Sequence, residues 1–512
     1  MSEFLKDITP REYQQKIFET CINKNCLVVL PTGLGKTLIA LMLTIKRMQE
    51  YPGKKVVFLA PTKPLAEQHI ISFKKYLPEL FADMQLFTGA INSIERKKIW
   101  QTADIIFSTP QCVANDLRKE LYSLKDVCLL IEDEAHRCVK NYDYNYIAKR
   151  YITQADNPRI MGLTASPGNE ASKIKEICKN LSIEEVELRT RDSPDVKKYL
   201  QELEFEKIMV EFPIEFQEMK HVLLKLYDRY VEELRYRKVL FGPANKITLI
   251  KLQQTIMGTL ARGNHHNYNY LLGASACAQA IKLQHALELL ETQTLESFNK
   301  YLKTLFNQAA KKQSKGVVKL VANPEFNFIF MQSNELLAKK QEHPKLKELE
   351  EIIKKENQKR IIIFTQFRDT ATIISEKLNK IEGIKSKIFV GQAKKEGTGL
   401  SQKDQKKIIE DFSAGEINVL VATSIAEEGL DIPEVNAVIF YEPIPSAIRA
   451  IQRAGRTARL KKGKLIMLIT KGTRDESFYY VSKAREKQMH SAIETVKQGL
   501  TNNIKEEVQK TL

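Results

Sequence analysis

A glycine-rich turn near the start of the chain contains the residue types that bind phosphate. The sequence Leu30-Pro-Thr-Gly-Leu-Gly-Lys-Thr37 follows an apolar run and precedes the apolar segment Leu38–Leu43. Glycines let backbone N–H groups approach phosphate oxygens, and the N-terminus of a helix adds a favourable dipole. Lys36 would then reach the β- and γ-phosphates of a nucleotide, and the Thr37 hydroxyl would bind Mg²⁺. The general phosphate-loop pattern has glycine in place of Leu30, so the match is to the shorter pattern TGxGKT.

Two adjacent carboxylates form a second candidate site. They lie in the sequence Leu129-Leu-Ile-Glu-Asp-Glu-Ala-His136, where an apolar run brings Asp133 and Glu134 to the end of a predicted strand. Ligands of open α/β sheets bind at the carboxyl ends of the strands. Asp133 would hold Mg²⁺ through water, and Glu134 would orient and deprotonate the water that attacks the γ-phosphate. The letters DEAH are a weak signal alone, but downstream of a phosphate loop they indicate nucleotide hydrolysis.

Short apolar runs that alternate with helical segments must position these residues. Five such runs occur before residue 200 and five more follow residue 345. They are Cys26–Leu30, Lys55–Ala60, Asp104–Ser108, Val127–Ile131 and Arg159–Leu163, then Arg360–Thr365, Lys385–Val390, Asn418–Ala422, Ala437–Tyr441 and Lys464–Ile469. This alternation indicates parallel sheets covered on both faces by helices. We therefore predict an α/β fold with two parallel-sheet domains, residues 1–200 and 346–490.

The middle of the chain, residues 201–345, has a different pattern. Strand signals fade after Phe212, and apolar residues then recur at the spacing of an amphipathic helix. These residues are Ala276, Ala280, Leu283, Leu287 and Leu290. An all-helical domain is therefore predicted between the two α/β domains, and a charged helical tail is predicted over residues 491–512.

The charge of the chain suggests a polyanionic partner. The net charge is +17, and the segment Arg235–Lys319 alone contains 13 Lys and Arg but three acidic residues, a local charge of +10. Such a segment is either a solvated helical face or a surface that contacts the phosphates of a nucleic acid. The charge does not separate these interpretations, nor DNA from RNA.

Composition excludes several other classes. With 43% hydrophobic and 28% charged residues in 512, the chain has the composition of a folded protein. No apolar run approaches the ~18 residues that cross a bilayer, and the N-terminus lacks the apolar region of a signal peptide. Seven cysteines without a CxxC pair argue against a zinc site or a disulfide framework. We expect a cytoplasmic protein that does not bind membranes.

The order of the motifs resembles that of superfamily 2 helicases of the DEAH-like type, along essentially the whole chain. Pro10-Arg-Glu-Tyr-Gln14 resembles their adenine-recognising segment, and Thr164-Ala-Ser166 resembles the motif that links ATP hydrolysis to domain movement. Thr423-Ser-Ile-Ala-Glu-Glu-Gly-Leu-Asp431 and Gln452-Arg-Ala-Gly-Arg-Thr-Ala-Arg459 resemble the last two helicase motifs, although Ala458 replaces the common glycine. The resemblance implies RecA-like sheet domains, with ATP and Mg²⁺ as ligands.

The resemblance also implies a role for individual residues. Gln452 would face the γ-phosphate and the attacking water, and Arg456 and Arg459 would be arginine fingers. Together with Lys36, Asp133 and Glu134 they form the implied catalytic set. The implied nucleotide-binding residues are Arg11, Gln14, Thr32, Gly33, Gly35, Lys36, Thr37, Gly429 and Asp431. The implied magnesium ligands are Thr37 and Asp133, and the implied coupling residues are His136, Thr164 and Ser166.

A further set of residues resembles the nucleic-acid contacts of these helicases. They follow predicted strands and offer hydroxyls, amides and helix N-termini, which suit phosphate and sugar oxygens rather than bases. In the first half they are Pro61, Thr62, Lys63, Gln68, Thr88, Gly89, Thr109 and Pro110. In the second half they are Thr365, Arg368, Gly391, Gln392 and Thr423.

The predicted helical insert narrows the family. It resembles that of the archaeal Hef helicase/nuclease and of the related Fanconi anaemia M helicase, and more distantly those of Dicer and the RIG-I-like RNA sensors. Strings such as Leu59-Ala-Pro-Thr-Lys-Pro-Leu65 and Tyr441-Glu-Pro-Ile-Pro-Ser-Ala-Ile-Arg449 look specifically Hef-like. Hef also has a C-terminal nuclease with an ERKxxxD-type motif, which this sequence does not contain.

The resemblance to Hef implies an ATP-dependent DNA helicase or translocase that acts on branched DNA, such as stalled replication forks, in DNA repair. In this interpretation the basic insert binds duplex arms. A double-stranded RNA-dependent ATPase of the Dicer/RIG-I-like kind is the first alternative. A non-enzymatic nucleic-acid clamp is the second.

Overall fold

The first α/β domain is built on a seven-stranded sheet. The computed structural model describes residues 4–200, 203–261, 268–356, 359–391, 399–423, 433, 435–444 and 463–511. The strands of this domain are β1 (Cys26–Val29), β2 (Lys55–Leu59), β3 (Met84–Phe87), β4 (Ile105–Ser108), β5 (Val127–Asp133), β6 (Ile160–Thr164) and β7 (Glu185–Leu188). The helices are α1 (Glu12–Asn23), α2 (Lys36–Glu50), α3 (Lys63–Tyr76), α4 (Ser93–Thr102), α5 (Pro110–Arg118), α6 (Asp143–Gln154), α7 (Ala171–Asn180) and α8 (Pro194–Lys197).

The strand order β3-β4-β2-β5-β6-β1-β7 places the strand before the phosphate loop close to the strand that carries the carboxylates. All neighbours in this sheet pair in parallel. Within each strand, alternate side chains point to opposite faces of the sheet. Leu27 and Val29 pack into the core on one face, and Cys26 and Val28 pack into the core on the other. Burial on both faces is the reason that these strands are continuous apolar runs.

The helical domain begins later than the sequence predicted. Residues 203–210 form β8 (Leu203–Val210), and the six helices that follow are α9 (Ile214–Tyr236), α10 (Lys246–Ala261), α11 (Tyr268–Thr292), α12 (Leu295–Ala310), α13 (Lys315–Val321) and α14 (Pro324–Ala338). The five apolar residues predicted on one helix face lie on α11 and are all buried. They pack with residues of α9, α12 and α14 in one core, which confirms the predicted all-helical insert.

The second α/β domain has a six-stranded sheet. Its remaining elements are α15 (Pro344–Lys355), β9 (Ile361–Phe364), α16 (Arg368–Leu378), β10 (Ser386–Phe389), α17 (Gln402–Ala414), β11 (Val419–Ala422), β12 (Ala437–Phe440), β13 (Gly463–Thr470) and α18 (Arg474–Thr511). The order is β10-β11-β9-β12-β13-β8. Thus β8, which the sequence assigned to the insert, is the edge strand of this sheet, paired with β13 from Leu203 opposite Gly463 to Val210 opposite Thr470.

The predicted C-terminal tail is the end of a much longer helix. α18 has 38 residues and starts directly after β13. Met489, Ile493 and Val496 pack into the core of the first α/β domain beside Ile174 and Ile177 of α7. This helix therefore joins the second α/β domain to the first. In the described part of the chain, no helix is both long and apolar enough to cross a membrane.

Candidate nucleotide site and nucleic-acid interface

The phosphate loop has the backbone shape that its glycines predict. Gly33 and Gly35 have φ of 85° and 80°, in the left-handed region that favours glycine. Gly35 caps the N-terminus of α2, and a Cβ there would collide with Gln14 Nε2. The Lys36 ammonium donates a hydrogen bond to the Leu30 carbonyl at 2.8 Å. The lysine side chain thus lies against the phosphate loop, where it is predicted to bind the nucleotide phosphates.

The predicted adenine-recognising segment contacts this loop directly. The Tyr13 hydroxyl donates to the Leu34 carbonyl at 2.8 Å, and Gln14 Nε2 donates to the same oxygen at 3.1 Å. The Arg11 backbone N–H donates to Gln14 Oε1 at 2.8 Å. Both polar atoms of the Gln14 amide are therefore used, which fixes its orientation beside the phosphate loop.

Asp133 ends β5 in a buried and polar environment. His69 on α3 places Nε2 2.8 Å from Asp133 Oδ2, and the Tyr144 hydroxyl donates to the Asp133 carbonyl at 2.7 Å. Burial alone would raise the pKa of Asp133, but the hydrogen bond from His69 and the charge of Lys36 outweigh it and lower that pKa. The carboxylate is therefore ionised, as a magnesium ligand must be.

The next residue, Glu134, leads into the predicted coupling residues. Its φ of 52° and ψ of 45° place it in the left-handed region, where the chain turns sharply after β5. His136 Nδ1 lies 3.2 Å from Glu134 Oε2 and 3.1 Å from Thr164 Oγ1. The Ser166 backbone N–H donates to Thr164 Oγ1 at 3.1 Å. The structure thus joins the predicted base to all three predicted coupling residues.

The donor set of this site fits a magnesium ion bound together with nucleotide phosphates. Thr37 is the second residue of α2, directly after the phosphate loop, and the ionised Asp133 ends β5, so both would offer oxygen atoms to such an ion. Mg²⁺ prefers oxygen ligands and usually keeps several waters, so one or two protein ligands suffice. The described residues contain no group of three His, Cys, Asp or Glu side chains that could hold a metal by themselves.

The predicted nucleic-acid contacts of the first domain lie along one edge of its sheet. Thr62 precedes α3 after β2, Thr88 and Gly89 follow β3, and Thr109 precedes α5 after β4. These three strands are neighbours, so the segments lie side by side. Thr62, Lys63 and Gly89 are exposed, Gln68 and Thr109 are half-buried, and Pro61, Thr88 and Pro110 are buried.

The corresponding residues of the second domain follow three neighbouring strands as well. Thr365, Gly391 and Thr423 come directly after β9, β10 and β11 or one residue beyond them. Arg368 donates to the Gly391 carbonyl at 3.1 Å. Thr365, however, is fully buried, and its hydroxyl donates to Gln293 Oε1 of the helical domain at 3.4 Å. Thr365 therefore presents no surface to a nucleic acid in this structure.

Three family descriptions match successive parts of the chain. Residues 11–174 match "DEAD/DEAH box helicase", residues 215–341 match "Putative ATP-dependent RNA helicase, helical bundle", and residues 344–461 match "Helicase conserved C-terminal domain". The crystal structure of the Pyrococcus furiosus Hef helicase domain is 42% identical, with a TM-score of 0.72, over 94% of this chain and 100% of that one. The chain belongs to the Hef helicase family.

Curated relatives of this Hef-family chain are longer proteins. A Methanocaldococcus jannaschii protein described as "Putative ATP-dependent RNA helicase" is 38% identical over 94% of this chain and 60% of its own length. The ATP-dependent DNA helicase fml1 of Schizosaccharomyces pombe is 32% identical over 91% of this chain and 57% of its own length. The chain therefore spans somewhat more than half the length of these relatives.

Membership in the Hef family confirms the predicted resemblance, and with it the use of ATP. Several residues predicted for the nucleotide cleft or the nucleic acid lie outside the described residues. They are Gln392, Gly429, Asp431, Gln452, Arg456 and Arg459.

Two buried side chains of this Hef-family chain that contact the candidate site could not be predicted from the sequence. His69 contacts Asp133, and Arg96 on α4 pairs with Asp116 on α5 below the loop that contains Thr88. Sequence offers little signal for either residue. A single histidine on an apolar helix face is typical of a core residue, and an arginine among lysines is typical of a surface.

Proposed function

We propose that the chain is an ATP-dependent DNA helicase or translocase that acts on branched DNA, such as stalled replication forks, in DNA repair. The observation that carries this proposal is the convergence of Lys36, Asp133, Glu134 and Thr164 at the carboxyl edge of one sheet. The predicted nucleic-acid contacts occupy the same edge of the neighbouring strands. Nucleotide and nucleic acid would therefore bind side by side on one rigid sheet.

Each residue at this edge has a distinct part in the proposed reaction. Lys36 and the backbone of the phosphate loop bind the β- and γ-phosphates. Thr37 and Asp133 would hold Mg²⁺, which when bound would neutralise charge on the phosphoryl oxygens. Glu134 orients the attacking water and accepts its proton. Arg456 and Arg459, by family resemblance, supply positive charge from the second domain, so that hydrolysis requires the two domains to close.

DNA is proposed rather than RNA because the chain belongs to the Hef family and because the fission yeast relative is named a DNA helicase. The alternative of an RNA-dependent ATPase has support in two printed names, that of the helical bundle and that of the methanogen relative. One panel of substrates decides between them: forked DNA, four-way DNA junctions, linear duplex DNA and double-stranded RNA, each in ATPase and unwinding assays. Stimulation by RNA alone would replace the proposed function with the alternative.

The role of Glu134 has a matched control in a neighbouring residue. Glu134→Gln should bind nucleotide normally and lower kcat by about 10²–10⁴-fold, because general-base catalysis contributes that much. Glu132 is fully buried two residues earlier, and burial raises the pKa of Glu132 well above its ordinary value. Burial thus favours the neutral form of this side chain, which a glutamine resembles in size and polarity, so Glu132→Gln should keep normal turnover. Normal turnover in Glu134→Gln would refute the assigned role.

A further inference from the structure

We propose that His69 is a positioning residue for Asp133, and that it ties the orientation of this magnesium ligand to α3, the helix whose first turn carries predicted DNA contacts. The inference rests on the proposed function, because it assigns a part in DNA-dependent ATP hydrolysis. It concerns a side chain that lies outside the predicted helicase motif residues.

The contact between His69 and Asp133 is a short hydrogen bond between two buried side chains. Nε2 lies 2.8 Å from Asp133 Oδ2, and both side chains are 8% exposed. The ionised carboxylate only accepts hydrogen bonds, so Nε2 carries the proton and donates it. Nδ1 is buried and has no hydrogen-bond partner in the described part of the chain. The one hydrogen bond that the structure gives this buried ring is therefore made to Asp133.

The ring of His69 is held in place from below. It packs on Phe58 of β2 with a centroid distance of 4.3 Å and an interplanar angle of 34°. The Phe58 ring in turn packs against Phe73 and Phe107 at 5.7 and 5.4 Å. A donor fixed in this way sets the rotation of the Asp133 carboxylate, and hence the orientation of the oxygens that it would offer to a magnesium ion. Such partners of metal ligands fix ligand orientation in many metal sites.

The same residue connects Asp133 to the predicted nucleic-acid edge. α3 runs from Lys63 to Tyr76, and Thr62 is its N-cap. His69 lies seven residues after Thr62, which corresponds to about 10 Å along a helix. A nucleic acid bound at the exposed Thr62 and Lys63 would thus contact the same rigid helix that donates to Asp133. The hydrogen bond is then a direct polar link between the helix at the DNA edge and the metal ligand.

The test compares two substitutions of His69. His69→Leu removes the donor and keeps an apolar side chain of similar volume. His69→Gln keeps a donor, because the glutamine Nε2 extends to about the position of the imidazole Nε2. We expect His69→Leu to weaken Mg²⁺ binding in the ADP complex, and to lower DNA-stimulated kcat, by about 10–100-fold. His69→Gln should recover most of both. DNA affinity, measured by fluorescence anisotropy, should stay close to that of the wild type.

The decisive readout is independent of turnover. Mg²⁺ is titrated into the protein bound to a fluorescent ADP analogue, and the midpoint is compared between variants. Leu65→Ala is the matched control, since it removes packing from the same helix in a separate cluster with Ala60 and Ala66. Its unfolding temperature should fall while its Mg²⁺ midpoint stays unchanged. If His69→Leu does not fold, His69→Asn replaces it, because the shorter amide cannot reach Oδ2.

Two results would overturn the inference. The first is a donor-free variant with the Mg²⁺ midpoint and kcat of the wild type. The second is a loss that His69→Gln fails to rescue, which would make the ring a packing element alone. Failure of the proposed function itself is distinguishable: the wild type would then lack DNA-stimulated hydrolysis, while the Mg²⁺ titration with ADP would still report on His69.

Discussion

The buried ion pair between Arg96 and Asp116 supports the loop that contains Thr88 and Gly89. Arg96 Nε and Nη2 donate to the two Asp116 oxygens at 2.7 and 2.5 Å. Arg96 Nη1 also donates to the carbonyls of Thr88 and Ile91. One guanidinium thus joins α4, α5 and the loop, and we expect its replacement to disturb both stability and DNA binding.

The size of the effect follows from burial. The side chains of Arg96 and Asp116 are 9% and 1% exposed. Breaking such a pair by removing one partner costs about 3–5 kcal/mol, because the remaining charge is buried without compensation. Arg96→Lys is the milder change, since an ammonium can pair with Asp116 but cannot also keep both carbonyl contacts in the planar arrangement of a guanidinium. The loss of hydrogen bonds with a charged partner gives an expected destabilisation of about 1.5–3 kcal/mol.

The matched control lies on α5. Arg118 pairs with Asp143 at 2.6 Å, but its side chain is 47% exposed. Arg118→Lys should therefore change the unfolding free energy by less than about 1 kcal/mol. Denaturant unfolding of both lysine variants measures the difference.

Arg96→Lys should weaken the binding of DNA and leave the binding of nucleotide unchanged. We expect the DNA concentration for half-maximal ATPase stimulation to rise about five- to tenfold, which corresponds to roughly 1–1.4 kcal/mol of binding free energy, while KM for ATP is unchanged. An unfolding free energy within about 0.5 kcal/mol of the wild type, the scatter of ordinary surface substitutions, would refute the structural reasoning. A destabilised variant with unchanged DNA dependence would refute the link to the Thr88 loop.

Three other predictions use different measurements. Two charge-matched triple alanine variants replace exposed lysines at the turn between α12 and α13 or on α17: Lys311, Lys312 and Lys315, or Lys403, Lys406 and Lys407. In a plot of log binding constant against log salt concentration for a forked DNA, the first variant should have a slope shallower by about 0.9 for each DNA phosphate that is no longer neutralised. The second variant should keep the slope of the wild type. Equal slopes for both variants would make the insert a solvated face. Burial raises the pKa of Glu288, but His285 and Lys246 outweigh it and lower that pKa from 4.5 to about 2. A carboxyl group whose pKa is lower in the folded state stabilises the fold at pH values above its unfolded pKa. The difference in unfolding free energy between wild type and Glu288→Gln should therefore shrink as the pH falls from 4.5 towards 2. A constant difference would contradict this prediction. Lys345 and Asp475 are fully buried, with Nζ 2.7 Å from Oδ2. Lys345→Met should lower the unfolding free energy by about 3–5 kcal/mol, and adding Asp475→Asn in a double variant should restore part of that loss. If the effects of the two substitutions simply add, the residues are not coupled.

The two sheets could be predicted from sequence because their strands are buried on both faces. All seven residues of β5 are buried, so the strand is a continuous apolar run up to Glu132 and Asp133. β8 is the counterexample. Its outer positions Glu204 and Phe205 are exposed at the edge of the sheet, and only pairing with β13, far along the chain, assigns it to the second domain.

The nucleotide edge could likewise be predicted, since the carboxyl ends of neighbouring parallel strands must meet. Contacts made by helices could not. The pairs His69–Asp133 and Thr365–Gln293 depend on how helices pack on the sheets and on each other, and packing leaves no local pattern in the residues on either side. Thr365 illustrates this: a threonine after a strand gives the same signal whether it faces a ligand or, as here, a buried glutamine.

The contacts between domains determine which parts of the molecule must move together. β8 belongs to the second sheet and leads directly into the helical domain. At the other end of that domain, Lys345 of α15 donates to the carbonyl of Thr292 at the end of α11 and pairs with Asp475 at the start of α18. The helical domain and the second α/β domain are therefore joined through buried polar contacts as well as through the chain.

The first α/β domain meets the rest of the chain at a different place. Met489 of α18 lies against Ser166, whose hydroxyl is 2.8 Å from the methionine sulfur. Ser166 in turn bonds to Thr164, which contacts His136 beside Glu134. If the angle between the two α/β domains changed, the basic helical domain would move together with the second α/β domain. The same change would shift α18 against Ser166, next to the residues that contact the proposed catalytic base. Within the described part of the chain, the contacts of Met489, Ser166 and Thr164 thus link α18 to the residues beside the proposed catalytic base.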